Sequence, residues 1–117
     1  MEDVQGTGVV TAPAQNGVVR VGELELRMQG HTAILDGVPL VLTVREHALL
    51  SELATHADRV LTREELYAAV WGGDLRSSDR SVDVYVSRLR SKLAAVIPGM
   101  RFIHTHFGIG YRFSPGA

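Results

Sequence analysis

Arginine and small polar side chains share one face of a helix that the sequence predicts over about residues 80–97. The other face is an apolar stripe with spacings of four, three, four and three, formed by Val82, Val86, Leu89, Leu93 and Val96. At about 100° per residue the polar face carries Arg80, Val84, Ser87, Arg88 and Ser91, with Asp83 and Arg90 at its edge. Guanidinium groups form paired hydrogen bonds with phosphate and with guanine, so this face has the chemistry of nucleic-acid recognition.

The individual positions suggest different contacts with a duplex. Arg88 is placed to reach base edges, and Arg80 and Arg90 are placed for phosphates or bases. Val84 has the shape to contact a thymine methyl group. Asp83 has two open roles, which are to accept a hydrogen bond from cytosine N4 or to orient a neighbouring arginine. The alternative interpretation of the whole face is a surface helix whose charges are only solvated.

Charge is distributed unevenly along the 117 residues, although the formal net charge is only −1. Residues 1–75 carry five basic and eleven acidic side chains, whereas residues 76–117 carry seven basic and two acidic ones. A basic C-terminal part favours a polyanionic partner. Eleven of the twelve basic residues are arginine, which suits phosphate and guanine contacts, although a GC-rich genome would also explain this preference.

Residue types that support catalysis or metal binding are poorly represented. The chain has no cysteine, which excludes disulfides, thiolate zinc sites and cysteine nucleophiles. His104 and His106 lie two apart on a predicted strand, with no further ligand close in sequence. Glu64 and Glu65 are explained by capping at a helix N-terminus, and Gly108-Ile109-Gly110 lacks the lysine of a phosphate loop. We therefore expect no metal, no cofactor and no enzymatic activity.

Residues 1–16 are rich in Gly, Ala, Gln, Thr and Pro without any period, and we interpret them as a flexible tail or linker remnant. Residues 17–115 are expected to form one domain. The first residues carry neither a basic start nor an apolar stretch, and no apolar run approaches the ~18 residues needed to cross a bilayer. These features favour a cytoplasmic protein that does not associate with membranes.

The elements around the arginine-rich helix predict an α+β fold. Alternating apolar residues from Val18 to Leu42 predict a four-stranded antiparallel sheet with a hairpin turn at Asp36-Gly37 and a last strand over 38–42. Capping boxes that begin at Thr43 and Thr62 open two helices, expected to end near residues 55 and 71.

Shorter strands complete the prediction. Val60-Leu61 is expected to form a strand stub between the first two helices. After the arginine-rich helix, residues 102–106 and 110–114 predict a C-terminal hairpin that turns at Phe107-Gly108-Ile109.

The stretch from Leu40 to Phe113 carries a set of specific motifs. Its core elements are Arg80-Ser81-Val82-Asp83-Val84, then Arg88-Leu89-Arg90, and then Gly108-Ile109-Gly110-Tyr111-Arg112. Earlier matching segments are Leu42-Thr43-Val44-Arg45-Glu46, Val60-Leu61-Thr62-Arg63-Glu64-Glu65-Leu66 and Val70-Trp71. This stretch resembles the OmpR/PhoB-type winged helix-turn-helix family, the DNA-binding effector domain of bacterial response regulators in two-component systems.

The resemblance implies a winged helix-turn-helix domain that reads double-stranded DNA and regulates transcription. The recognition helix would contact DNA through Arg80, Asp83, Val84, Ser87, Arg88, Arg90 and Ser91. The hairpin would be the wing on the adjacent minor groove or backbone, with contacts from Thr105, His106, Phe107 and Arg112. The loop before the recognition helix would contact RNA polymerase or a neighbouring protomer through Gly73, Asp74, Leu75 and Arg76. Members commonly bind direct-repeat sites as tandem pairs.

The sequence departs from this family at two positions. Phe107 stands where a basic residue usually precedes the wing glycine, and Ser87 stands where relatives often have arginine. Both changes predict weaker or differently distributed phosphate contacts. The receiver domain that normally precedes the module is absent from the sequence, so we expect an effector domain separated from it or a regulator controlled by other means.

The alternative function is a protein-interaction module that docks on RNA polymerase or a fused domain without reading DNA.

Overall fold

The computed structural model describes residues 17–116, and the predicted tail over residues 1–16 lies outside this range. The first sheet and helix comprise β1 (Val18–Val21), β2 (Leu24–Arg27), β3 (Thr32–Leu35), β4 (Val38–Leu40) and α1 (Val44–Thr55). The remaining elements are β5 (Val60–Thr62), α2 (Arg63–Val70), α3 (Ser81–Val96), β6 (Arg101–His106) and β7 (Gly110–Gly116). The predicted α+β class and the order of its elements are confirmed.

The N-terminal sheet is a meander of four antiparallel strands in the order β1-β2-β3-β4, as predicted. The β3–β4 turn has positive φ at Asp36 and Gly37, 51° and 78°, which suits the right-handed twist of a hairpin. The last strand ends at Leu40, two residues before the predicted end. The chain leaves the sheet after Leu40, and the carbonyl oxygen of Val41 accepts a hydrogen bond from Lys92 Nζ at 2.8 Å rather than from a neighbouring strand.

Both predicted capping boxes are present at the N-termini of α1 and α2. The Thr43 side chain accepts from the backbone N–H of Glu46, whose carboxylate accepts from the N–H of Thr43; Thr62 and Glu65 repeat the arrangement. Each pair satisfies two N–H groups that the first helical turn leaves free. The third helix lies within one residue of its predicted bounds, and its stripe at Val82, Val86, Leu89 and Leu93 is buried.

The C-terminal sheet differs from the two-stranded hairpin that the sequence predicts. The stub over 60–62 pairs with β7, which makes a three-stranded sheet in the order β5-β7-β6. Leu61 lies opposite Tyr111 and Thr62 lies opposite Gly110. A Cβ atom on Gly110 would overlap the backbone of Leu61 and Thr62, so the close pairing of these strands requires glycine at this position.

A single apolar core joins the helices to both sheets. Leu49, Leu50 and Leu53 of α1 are fully buried, and α1 contacts β1, β7 and the other two helices. Tyr67 and Trp71 stack at 5.4 Å between ring centroids, and the Trp71 ring meets Tyr85 of α3 edge-on at 5.2 Å. Within residues 17–116, no helix has both the length and the apolar character needed to span a membrane.

One ion pair links α1 to α3 across the core boundary. Lys92 Nζ lies 2.6 Å from Oε1 of Glu46, a carboxylate that is only 2% exposed. Burial by itself raises the pKa of Glu46. Hydrogen bonds from Lys92 and from the Thr43 N–H lower it by a larger amount, so the net pKa is below the ordinary value of 4.5. The buried carboxylate therefore stays charged in the folded protein.

We expect the stability of the domain to fall in acid. When the pKa of a carboxyl group is lower in the folded state than in the unfolded state, the unfolded state binds the proton more tightly. The stability that this group contributes is therefore fully present above its unfolded-state pKa, and it is lost as the pH falls through its folded-state pKa. Glu46 and Asp83 both have a lowered pKa in the folded protein. For Asp83, burial raises the pKa, but hydrogen bonds from Tyr111 and Arg63 lower it by a larger amount. Urea unfolding across the acid range below about pH 4.5 measures the effect. A flat profile there would contradict it.

Candidate nucleic-acid interface

The outer face of α3 is exposed as the helical period predicts. Arg80, Ser87, Arg88 and Ser91 are exposed, and 43% of Val84 is accessible. The guanidinium carbon of Arg88 lies over the ring of Tyr85 at 4.9 Å from its centroid. This stacking restricts the long arginine side chain before any partner binds. The helix therefore presents a stacked arginine beside small side chains, which suits entry into a major groove about 12 Å wide.

Arg90 occupies a different environment from these residues. Its Nε and Nη2 atoms donate to the carbonyl oxygen of Ile103 at 3.2 and 2.9 Å, and Nη2 also donates to Thr105 Oγ1 at 2.6 Å. Both partners are on β6, which is an edge strand. The guanidinium thus satisfies an edge carbonyl and ties the hairpin to α3. Contact with phosphates or bases stays a prediction for Arg90, and it would require these bonds to break.

Asp83 is engaged with the protein's own side chains. One carboxylate oxygen accepts from Arg63 Nε at 2.8 Å and from the Tyr111 hydroxyl, and the other lies 3.8 Å from Arg80 Nη1. Of the two roles left open by the sequence, this arrangement supports the orientation of neighbouring arginines. Arg63 and Tyr111 were not identified as site residues from the sequence, although both lie in the quoted motifs. Their connection to Asp83 joins α2, α3 and β7 at one point.

The two arginines beside Tyr111 extend this connection. The guanidinium carbons of Arg63 and Arg90 lie 5.6 and 5.5 Å from the centroid of the Tyr111 ring, which is 4% exposed. Burial is the main cause that raises the pKa of Tyr111, and the bond to Asp83 raises it further. The phenol therefore stays a hydrogen-bond donor. The position of α3 relative to the hairpin is set by these contacts.

The hairpin places its predicted contact residues in two environments. Arg112 Nε donates to His106 Nε2 at 3.1 Å, and the His104 Nε2 atom lies 2.8 Å from the carbonyl oxygen of Ser114. Thr105 is bound to Arg90, whereas Phe107 at the turn is 90% exposed. No cluster of three or more metal-binding side chains occurs within the part of the chain that the structure describes.

An open groove of about 760 Å³ lies between α3 and the hairpin. Its lining combines apolar side chains such as Leu93 and Phe102 with a basic set, namely Arg90, Arg101, His104, His106 and Arg112. We call Arg101 and Arg112 the groove cations. The groove is concave and basic, so it offers space and charge for an anionic backbone beside the helix.

The loop between α2 and α3 presents a second polar surface. Gly72 and Gly73 have φ of 81° and 82°, which ends α2 in a conformation that glycine adopts readily. Asp74 and Arg76 are exposed, whereas Leu75 is half-buried. The structure places this predicted contact loop beside Arg80 and Asp83, with which Leu75 and Arg76 share a small cavity of about 280 Å³.

Comparison with known proteins identifies the architecture. The sequence model for the family described as "Transcriptional regulatory protein, C terminal" matches residues 37–113. The transcriptional regulatory protein PrrA of Mycobacterium leprae is 41% identical over 101 residues, which cover 86% of this chain and 43% of PrrA. The chain therefore spans less than half the length of this relative.

Two solved DNA-binding domains give the same result over nearly their full length. The DNA-binding domain of CpxR from E. coli superposes with a TM-score of 0.77 at 35% identity, covering 86% of this chain and 98% of that domain. The DNA-binding domain of Klebsiella pneumoniae RstA, solved in complex with the RstA box, superposes with a TM-score of 0.74 at 34% identity, covering 83% of this chain and 96% of that one. The chain belongs to the family of C-terminal domains of transcriptional regulatory proteins, with the winged helix-turn-helix fold of the OmpR/PhoB-type DNA-binding domains.

Proposed function

We propose that this domain binds double-stranded DNA sequence-specifically and regulates transcription, with α3 in the major groove and the β6–β7 hairpin on the adjacent backbone or minor groove. The observation that carries the proposal is the exposed polar face of α3, whose opposite side is anchored in the core. The structurally similar RstA DNA-binding domain was solved in complex with the RstA box, which supports DNA binding by this domain. The basic C-terminal part would steer the domain to the duplex.

Base reading and positioning fall to different residues of α3. Arg88, held over Tyr85, is the candidate for a bidentate contact with guanine, and Val84 is the candidate for a thymine methyl. Arg80, Ser87 and Ser91 flank them and contact bases or phosphates. Asp83 and Arg90 act as positioning residues, because their polar atoms are used within the protein.

The hairpin and the groove cations hold the DNA backbone. Arg101 and Arg112 line the groove beside α3, and Thr105, His106 and Phe107 extend it towards the turn. Phosphate contacts position a protein on the duplex without carrying sequence information. We therefore assign affinity to the groove and base preference to α3.

The loop surface at Gly73, Asp74, Leu75 and Arg76 is proposed to contact RNA polymerase or a neighbouring protomer. The side chains of Asp74 and Arg76 are exposed, so they could contact a protein partner while α3 is bound to DNA. A tandem pair on direct-repeat DNA would bring this loop close to a second copy. The second candidate function, docking on polymerase or a fused domain without DNA reading, rests on this loop alone.

The proposed binding of DNA also suggests where the domain acts and what part it plays in a longer protein. We propose that the domain comprises residues 17–115 and acts on the bacterial nucleoid in the cytoplasm, without a membrane partner, a cofactor or an enzymatic activity. In the whole protein it would serve as the effector part of a two-component response regulator.

Selection of binding sites from random duplexes, followed by gel shifts at two salt concentrations, tests the proposal. We expect a defined sequence preference and an affinity that falls steeply with salt, since each neutralised phosphate releases counterions. Salt-insensitive binding to polymerase, with no selected sequence, would overturn the proposal and favour the second candidate.

Replacing Arg112 with alanine should weaken binding to all DNA sequences alike. Its guanidinium lines the groove next to His106, where a phosphate contact is expected. The slope of log affinity against log salt should fall by about one unit. Gel shifts with the selected site and with random DNA measure both quantities. A loss confined to the selected site would instead make Arg112 a base-reading residue.

A further inference from the structure

The tip of the hairpin is an exposed apolar surface. Phe107 is the most accessible large apolar side chain within the described residues, at 90%, and Ile109 beside it is 54% exposed. Burying apolar surface is favourable, so the exposed Phe107 ring can contribute to the affinity for a partner that covers it. We call Phe107 and Ile109 the hairpin tip.

The hairpin tip is held by a short turn. The Ile109 N–H donates to the carbonyl oxygen of His106 at 2.9 Å, and Gly108 adopts a φ of 77° that glycine allows without strain. His106 and Gly110 pair directly below the turn, and Arg90 binds β6 to α3. The Phe107 ring is therefore presented on a braced hairpin, at a defined position relative to α3.

The surroundings of the tip indicate the chemistry of its partner. Phe107 lines the end of the groove that also contains Arg90, Arg101 and Arg112 with the two histidines. An apolar protein pocket would have to leave Arg101 and Arg112 without counter-charges. A DNA minor groove places phosphates on both sides of an apolar, stackable base step, which matches an aromatic tip backed by a basic strand pair.

From these observations we propose that the hairpin tip is an apolar wedge that enters the minor groove next to the site read by α3, partly unstacks one base step and bends the duplex. Base–aromatic contact supplies the attraction, and the groove cations hold the flanking phosphates. Pyrimidine–purine steps open most easily, so the wedge adds a preference for a TA or CA/TG step at a fixed distance from the α3 contacts. This inference rests on the proposed DNA-binding function.

The test measures DNA bending and base unstacking with the selected duplex. Fluorescence energy transfer between labelled duplex ends reports the bend, and 2-aminopurine placed in successive steps reports unstacking. We expect the unchanged protein to bend the duplex and to raise the fluorescence at one step. Phe107→Ala should abolish both signals and lower affinity about tenfold while keeping the base preference of α3. Phe107→Leu, which retains an apolar wedge, should keep most of the bend.

Val44→Ala is the matched control, because Val44 is 67% exposed but lies at the start of α1. It should leave bending and affinity unchanged, and circular dichroism confirms that each variant is folded. An unbent duplex with the unchanged protein, or equal bending by Phe107→Ala, would overturn the wedge and leave the proposed function intact. A loss in Phe107→Ala that appears only when a second copy or polymerase is present would also overturn it. Failure of the unchanged protein to select any duplex would instead reject the proposed function, and the wedge with it.

Discussion

Replacing Arg88 with alanine should reduce affinity for the selected DNA site by about 1–3 kcal/mol, or roughly 5- to 150-fold, and relax the preference at one base pair. Arg88 is exposed on α3, and its guanidinium is already stacked over Tyr85. A bidentate contact with guanine needs such a preorganised planar group, which alanine removes. Binding to random DNA should change much less. Gel shifts with the selected site, with single-base variants of it and with random duplexes measure these effects.

Arg45 supplies a matched control for this substitution. It is an exposed arginine of α1 whose guanidinium carbon lies 5.3 Å from the Trp71 ring centroid, so Arg45→Ala removes the same charge from the same kind of stack. We expect that variant to retain the base preference. An equal loss on specific and random DNA in Arg88→Ala would show that Arg88 contacts only phosphate.

Replacing Lys92 with methionine should lower the free energy of unfolding by about 2–3 kcal/mol. The substitution keeps the aliphatic length but leaves the carboxylate of Glu46 buried without its cation, and it also removes the donor to the Val41 carbonyl. Partial exposure of the lysine puts the expected loss below that of a fully buried pair. Urea or thermal unfolding at neutral pH measures it.

The double variant Glu46→Gln with Lys92→Met separates charge from packing. Glutamine keeps an acceptor for the Thr43 N–H and carries no charge, so much of the lost stability should return. The double variant should also lose part of the acid dependence expected for the unchanged protein. If it were as unstable as Lys92→Met alone, the loss would come from the Val41 contact rather than from an unpaired charge.

The connection between α3 and the hairpin has a consequence for DNA reading. Asp83 and Tyr111 join the start of α3 to β7, and Arg90 joins its middle to β6. A base-reading helix and a wing contribute together only when their spacing matches the two grooves, and productive geometry requires such supporting contacts. Under the proposed function, these three side chains would thus help to determine which spacing of bases the domain accepts.

Much of the local structure was predictable from the residues themselves. The capping boxes at Thr43 and Thr62 join residues three apart, and the turn at Asp36-Gly37 depends on two adjacent φ angles. The buried stripe of α3 follows from the 3.6-residue period. These features need no knowledge of distant elements, which is why the helices and the first sheet were predicted nearly to their ends.

The sequence by itself determined which faces are apolar, where the helices begin and which surface of α3 carries arginine. Only the tertiary structure decided what the edge positions do: Asp83 meets Tyr111 from 28 residues away, Arg90 meets Thr105 from 15 away, and Glu46 meets Lys92 from 46 away. Likewise, only the tertiary structure shows that the strand at 60–62 pairs with β7 and so joins the C-terminal sheet. A side chain at the edge of an amphipathic face can turn either to solvent or to a neighbouring element. Helical periodicity does not distinguish the two directions, because the choice depends on which backbone carbonyl or carboxylate the packing brings within hydrogen-bond distance.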